Sequence, residues 1–215
     1  NVIPAIETNI FGFINVISLS LKYKVNKFLF VSTDKAVRPT SIMGFTKRFS
    51  EIYIQYLNHN KKNENTTLAA VRFGNVFGSA GSVIELFNNQ ISNKLPITLT
   101  HVEATRYFMT IPEASILLIQ SLSLLNEGEI FVLDMGKPFK IIEIARKMIF
   151  FAGLTEKNSN NPYGDIPIKI IGLKKGEKIH EELLISNKLI RSKFNDIFID
   201  QIKFKHDLDI TNSLE

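Results

Sequence analysis

Apolar residues recur at Ile6, Ile10, Phe13, Ile14, Ile17 and Leu21, a helical spacing that predicts a helix over 5–21 with Pro4 in its first turn. The period then collapses into a continuous run, Phe28-Leu29-Phe30-Val31, which reads as a buried strand. After a polar stretch, Ser41 is placed to cap a helix over 42–58, with Phe45, Phe49, Ile52, Ile54 and Tyr56 as its candidate buried positions. An Asn- and Lys-rich loop, 58–66, separates it from a second strand over 67–73. Gly74, Gly78 and Gly81 then mark sharp turns before a helix over 82–93.

Short strands are expected at 96–100 and 106–111, a helix at 112–125, a strand at 130–133 and a helix at 141–151. Residues 154–164 read as a surface loop, 166–171 as a strand and 177–184 as a helix, and the tail 186–215 shows no clear pattern. Repeated strand–helix alternation in the first half predicts a parallel sheet. The expected division is 1–95 as the second half of a nucleotide-binding sheet domain, 96–185 as mainly a smaller substrate lobe, and 186–215 as a tail.

Composition narrows the chemistry. With 215 residues, 45% of them hydrophobic, the chain can bury a substantial core. It contains no cysteine, which excludes disulfides, thiolate metal sites and Cys nucleophiles. The net charge of +5 is modest and its charges are interspersed, so no nucleic-acid partner is expected, whereas an anionic small ligand fits. The run from Ala114 to Leu125 is interrupted by Ser115, Gln120, Ser121 and Ser123, and no membrane contact is expected within this segment. Four scattered histidines predict no metal site. The pattern opens without a preceding strand or turn, as a piece of a longer protein would.

The first strand ends at Ser32-Thr33-Asp34-Lys35, and Met43 and Lys47 follow four residues apart on one helix face. A polar cluster between a strand end and a helix start is where parallel α/β sheets carry their chemistry. The dinucleotide fingerprint G-x-G-x-x-G is missing from the sequence, so either the fold differs or its first half lies outside this chain.

The segment Ser32-Thr33-Asp34-Lys35-Ala36-Val37-Arg38-Pro39-Thr40, with Met43-Gly44 and Lys47-Arg48, resembles the active-site segment of CapD-type polysaccharide-biosynthesis proteins. These are extended short-chain dehydrogenase/reductases that include membrane-anchored UDP-N-acetylglucosamine 4,6-dehydratases. Further blocks follow in the family's order: Arg72-Phe73-Gly74-Asn75-Val76, Gly78-Ser79, Gly81 to Ile84, Pro96-Ile97-Thr98, Thr105 to Thr110, Pro112-Glu113-Ala114, Gly176-Glu177-Lys178 and Glu181-Glu182-Leu183.

The resemblance implies an incomplete Rossmann-type parallel sheet with a smaller α/β sugar-nucleotide-binding lobe, NAD as cofactor and a UDP-sugar as substrate. It implies a homo-oligomer and, for the longer chain, a cytoplasmic domain anchored to the inner membrane. The activity it implies is dehydration of a UDP-N-acetylhexosamine to a 4-keto-6-deoxy sugar. A sugar-nucleotide epimerase and a truncated non-catalytic fragment stand as alternatives.

The wider superfamily uses Tyr-x-x-x-Lys, but Met43 occupies the Tyr position here, and a thioether cannot act as a base. Thr33, Asp34 or an ordered water are the candidates for the C4 hydroxyl proton. The resemblance assigns Asp34 as acid and Lys35 as base, which requires a protonated carboxyl and a neutral amine. Lys47 is the candidate holder of the nicotinamide ribose, joined by Ser32 and Phe73 at the cofactor. Asn75, Ser82, Thr98, Arg106 and Glu177 are the candidate substrate contacts, with Arg106 facing a diphosphate and Glu177 and Glu182 facing ribose hydroxyls. His101 is expected to be structural.

Overall fold

The computed structural model describes residues 2–60, 65–79, 81–126, 128–185 and 189–201. The chain divides into two compact units: one holds Asn1–Phe73, Ser115–Asp134 and Glu182–Glu215, and the other holds Gly74–Ala114 and Met135–Glu181. The first crossing therefore falls at 73/74 rather than at the expected 95/96, because the glycine turn after the second strand already belongs with the smaller unit.

The first unit opens on a helix, α1 (Val2–Lys22), with a π-helical segment at Glu7–Gly12. It continues through β1 (Lys27–Val31), a single 3-10 turn at Asp34–Ala36, α2 (Ile42–His59), β2 (Thr67–Arg72), β7 (Ile130–Leu133), β11 (Leu189–Arg191) and β12 (Ile197–Asp200). The sheet order is β1-β2-β7-β12-β11. β1, β2 and β7 run parallel, with Val31 level with Val71, and Val71 in turn with Phe131. β12 is antiparallel to β7, and β11 to β12. Part of the tail thus forms ordered strands that extend the parallel sheet into a mixed one. The rest of the tail, 186–188 and 202–215, lies outside the described residues, as do 61–64 of the polar loop.

Phe13 and Ile17 of α1, Ile54, Tyr56 and Leu57 of α2, and Leu68 and Ala70 of β2 form one core. Phe13 packs edge-on against Phe30 with centroids 4.8 Å apart, which locks α1 to the first strand. Each such fully buried large side chain contributes roughly 1.5–3 kcal/mol. Of the expected buried face of α2, Ile54 and Tyr56 are buried but Phe45 is exposed. Among the described residues α1 is the one helix long and apolar enough to cross a membrane, a description that core helices also meet. The longest apolar helix is therefore this one and not 114–125, and its buried side is the Phe13–Ile17 face.

The second unit has its own core, with Phe87 and Ile91 of α3 (Val83–Ser92), Ile97 and Leu99 of β4 (Ile97–Leu99), Ala145 and Ile149 of α5 (Ile141–Phe151), and Ile166 of β10 (Ile166–Ile170). β10 pairs in parallel with both β4 and the two-residue β9 (Glu156–Lys157), so part of the expected 154–164 loop is a strand. Two small pairs complete it: β3 (Asn75–Val76) with β6 (Phe108–Met109), and β5 (Thr105–Arg106) with β8 (Phe139–Lys140). The helix α4 (Ile111–Leu124) connects the two units along the chain.

The expected helix at 177–184 does not form. Gly176 adopts a left-handed φ of 82°, and the chain then runs extended beside β5: the Thr105 N–H donates to the Ile179 carbonyl, and His180 makes a parallel bridge with Thr105. Backbone pairing with β5 replaces the helix ladder that the spacing suggested.

Candidate active site

In the first unit the polar cluster begins where β1 leaves the sheet. Ser32 N–H still donates to the Val71 carbonyl at 2.8 Å, and Asp34 N–H donates to the Phe73 carbonyl at 3.2 Å, so the turn stays in register with the end of β2. Thr33 caps the turn by accepting from Lys35 N–H, while its own hydroxyl donates to Asp34 Oδ1 at 2.8 Å. Lys35 Nζ donates to the same Oδ1 at 2.9 Å. Asp34 is fully buried, and its other oxygen, Oδ2, has no hydrogen-bond partner among the described residues. A half-satisfied buried carboxylate is costly, by roughly 1–3 kcal/mol for the unmade bond, and such groups call for a reason.

The helix α2 closes over this turn. Ser41 caps it through Gly44 N–H at 3.2 Å. A Cβ at Gly44 would lie 2.3 Å from the Lys35 carbonyl oxygen, so only glycine lets the helix approach the Asp34–Lys35 turn this closely. Met43 is 40% exposed on the outward side of the helix start, and its carbonyl accepts from Thr46. Lys47 reaches the strand end: Nζ donates to the Val31 carbonyl at 3.0 Å and lies 4.6 Å from the centre of the Phe30 ring. Burial pushes its ammonium below the ordinary lysine range. Ser32, Thr33, Asp34, Lys35, Met43, Lys47 and Phe73 are therefore brought together around one strand end.

Ser32 connects the strand end to α2. Its side chain turns inward and donates to Glu51 Oε1 at 2.6 Å. Glu51, four residues beyond Lys47 on α2, also accepts a two-pronged contact from Arg72 at 2.6 Å per prong, and one from Arg48 at 2.9 Å. Arg72 reaches on to Asp200 at 2.8 Å, and Asp200 accepts from Ile185 N–H as well. Burial alone would pull the Arg72 guanidinium down, but the hydrogen bonds and charges of Glu51 and Asp200 outweigh it and hold it above its ordinary value. This network was not foreseen. The signal available was Glu51 one turn past Lys47 and an arginine inside a strand of buried residues, where an unpaired cation could not stand.

The remaining candidates lie in the second unit. The Asn75 N–H pairs with the Tyr107 carbonyl in the β3–β6 ladder. Ser82 caps α3 through Glu85 N–H, and Thr98 exchanges hydrogen bonds with the Gln90 amide, so both side chains have structural partners. Arg106 is committed to the protein: it donates to the Thr105 and Ile179 carbonyls at 2.7 and 2.9 Å, and to Glu177 at 3.0 Å. Glu177 also accepts from Thr100 at 2.8 Å. Glu182 belongs to the first unit, where it pairs with Arg38. His101 accepts from Glu103 N–H in its own turn. Among the described residues no group of three or more His, Cys, Asp or Glu side chains is placed to hold a metal.

The sequence profile of the "polysaccharide biosynthesis protein" family matches residues 1–202. The chain is 51% identical to a capsular polysaccharide biosynthesis protein, CapD, from Staphylococcus aureus over 86% of its own length and 29% of that protein's. It is 35% identical to a UDP-glucose 4-epimerase from Rickettsia rickettsii, over 87% of this chain and 52% of the epimerase. Among solved structures, Pen from Bacillus thuringiensis superposes with a TM-score of 0.78 at 37% identity, covering 90% of this chain and 58% of Pen. The fold is also that of dTDP-glucose 4,6-dehydratase from Bacillus anthracis in complex with NAD, with a TM-score of 0.69 at 15% identity over 85% of this chain and 60% of the other. The chain spans from under a third to about half the length of these two curated relatives.

Proposed function

Because the chain belongs to the polysaccharide biosynthesis protein family and shares the Rossmann-type fold of its structural neighbours, we propose that its Asp34–Lys35 turn supplies the acid and base for 4,6-dehydration of a UDP-N-acetylhexosamine. UDP-N-acetylglucosamine is the proposed substrate, and the chain acts as part of a longer protein in surface polysaccharide synthesis. The observation that carries the reading is the buried Asp34 carboxyl, without a partner at Oδ2 among the described residues and bonded to Lys35 at Oδ1.

An ammonium–carboxylate pair and an amine–carboxylic acid pair hold the same number of protons. One proton moving 2.9 Å-bonded from Lys35 Nζ to Asp34 therefore produces both the base and the acid that dehydration needs. Lys35 Nζ then takes the C5 proton of a 4-keto sugar, the C6–O bond breaks, and the Asp34 carboxyl gives its proton to the departing hydroxyl, which leaves as water. Lys35, now charged, returns a proton to C5 in the last step, which leaves the pair one proton short of its starting count, and the proton lost by the C4 hydroxyl in the oxidation makes up that deficit. For the first step, Thr33, whose hydroxyl reaches Asp34 at 2.8 Å, has a route for the C4 hydroxyl proton that Met43 lacks.

The residues at this strand end fit an NAD cofactor in one respect and not in another. The Lys47 ammonium has three donors, of which the Val31 carbonyl takes one, and suits ribose hydroxyls; the Ser32 hydroxyl gives its donor to Glu51 and keeps only acceptor capacity. Lys47 and the Phe73 backbone turn would hold the cofactor, which when bound supplies hydride acceptance at C4 and hydride return at C6. In the longer protein incubated with UDP-N-acetylglucosamine, the product is expected to be lighter by one water on mass spectrometry. A product of unchanged mass would favour the epimerase reading, which the 35% identity to a UDP-glucose 4-epimerase also supports.

A further inference from the structure

The ion network behind the active-site turn is more than a buried salt bridge, because one of its members is bonded to the turn itself. We infer that Glu51 is a positioning residue for the Thr33–Lys35 turn, acting through the Ser32 hydroxyl and held in place by Arg72, Arg48 and Asp200. The inference rests on the assignment of Asp34 and Lys35 as acid and base.

Glu51 occupies a particular place on α2. Met43, Lys47 and Glu51 are spaced at four-residue intervals and so follow one face of the helix. Lys47 meets the backbone of β1 at Val31, and Glu51 meets the next residue, Ser32, through its side chain. Two successive residues at the strand end are thus tied to two successive turns of the same helix. Glu51 itself cannot shift, because its carboxylate accepts four hydrogen bonds from three residues: Ser32, both prongs of Arg72, and Arg48.

Arg72 ends β2, one residue before the Phe73 carbonyl that accepts from Asp34 N–H. The same arginine is fixed from the far side by Asp200 at the end of β12. The two cations and two carboxylates leave the network without net charge, so Glu51, Arg72 and Asp200 can be fully buried, with Arg48 at the edge. The backbone of the Thr33–Lys35 turn is held by the Ala36 and Val37 N–H bonds within it and by the Asp34 N–H bond to Phe73, all of them on the side facing β2 or inside the turn. The Ser32–Glu51 bond is a hydroxyl-to-carboxylate contact, the stronger kind, and adds a side-chain tie from the residue before the turn to α2.

The test is Ser32→Ala, which cuts the link and leaves every other bond of the network in place. Amide hydrogen exchange followed by mass spectrometry reports on it without substrate. The N–H groups of Asp34, Ala36 and Val37 are expected to exchange about tenfold faster, the factor that loss of one charge-assisted bond corresponds to. Those of Ile54 and Leu68 in the core are expected to keep their rates. Unchanged exchange at 34–37, or a rise of equal size at Ile54 and Leu68, would overturn the inference, the second because Ser32 would then serve the fold as a whole. In the longer protein the same variant is expected to lose kcat while KM is retained. If the exchange pattern appears but the wild-type protein shows no dehydration, the positioning role stands and the catalytic assignment fails, so the two are separable.

Discussion

Asp34 and Glu51 are both fully buried carboxylates within the same unit, and they are treated in opposite ways. Glu51 has both oxygens engaged, by two arginines and a serine, whereas Asp34 has one oxygen crowded with donors and the other with none among the described residues. A buried charge built for stability is saturated with partners, because every unmade bond in a low-dielectric interior costs free energy. A buried acid built for proton transfer keeps capacity in hand. The contrast separates the part of the polar interior that holds the fold from the part proposed to do chemistry.

Substitution should therefore dissociate the two sites. Glu51→Ala leaves Arg72 buried with half its compensation gone and is expected to cost about 3–5 kcal/mol. Calorimetry on a chain of this size would register that as a fall of about 10 °C in Tm. Asp34→Asn, by the same measurement, is expected to change stability by no more than about 1 kcal/mol, since it removes a charge that is only partly compensated. A large loss of stability in Asp34→Asn would erase the distinction drawn here.

A smaller effect is expected from Lys47. Its folded-state value is lowered by burial, so between that value and the unfolded 10.5 the unfolded chain binds more protons. Stability contributed by this residue must then rise with pH across the alkaline window just below 10.5, and the burdened, charged form prevails below it. Lys47→Met should flatten that rise. Subtracting the two stability–pH profiles isolates Lys47 from the tyrosines that titrate nearby, and identical profiles would show that its burial carries no such penalty.

Much of the first unit was legible because its elements are long and periodic. The Ser41 cap, the α2 helix and the strands β1 and β2 follow from local spacing alone, and so does the placing of Met43 and Lys47 on one face of α2. The failures have a common physical cause, which is that distant partners overrode local pattern. At 177–184 the spacing suits a helix, but Thr105 and Arg106 capture the backbone and Glu177, so the segment runs extended. Phe45 has the spacing of a buried residue but is exposed in the structure. The tail looked patternless because Ile197–Asp200 is only a four-residue strand, and its place beside β7 is set by the sheet and by the bond from Arg72 to Asp200. Arg106 reads as a phosphate ligand by type, and no spacing rule reveals the three bonds it makes to the Thr105 and Ile179 carbonyls and to Glu177.

In the proposed reaction the Asp34–Lys35 pair moves the protons of the dehydration. The most direct measurement is incorporation of solvent deuterium at C5 of the sugar by the longer protein, wild type against Lys35→Ala. The account predicts that the variant loses exchange by roughly a hundredfold or more, the scale of a general base, while its Tm stays close to that of the wild type. Exchange at the wild-type rate in Lys35→Ala would contradict it.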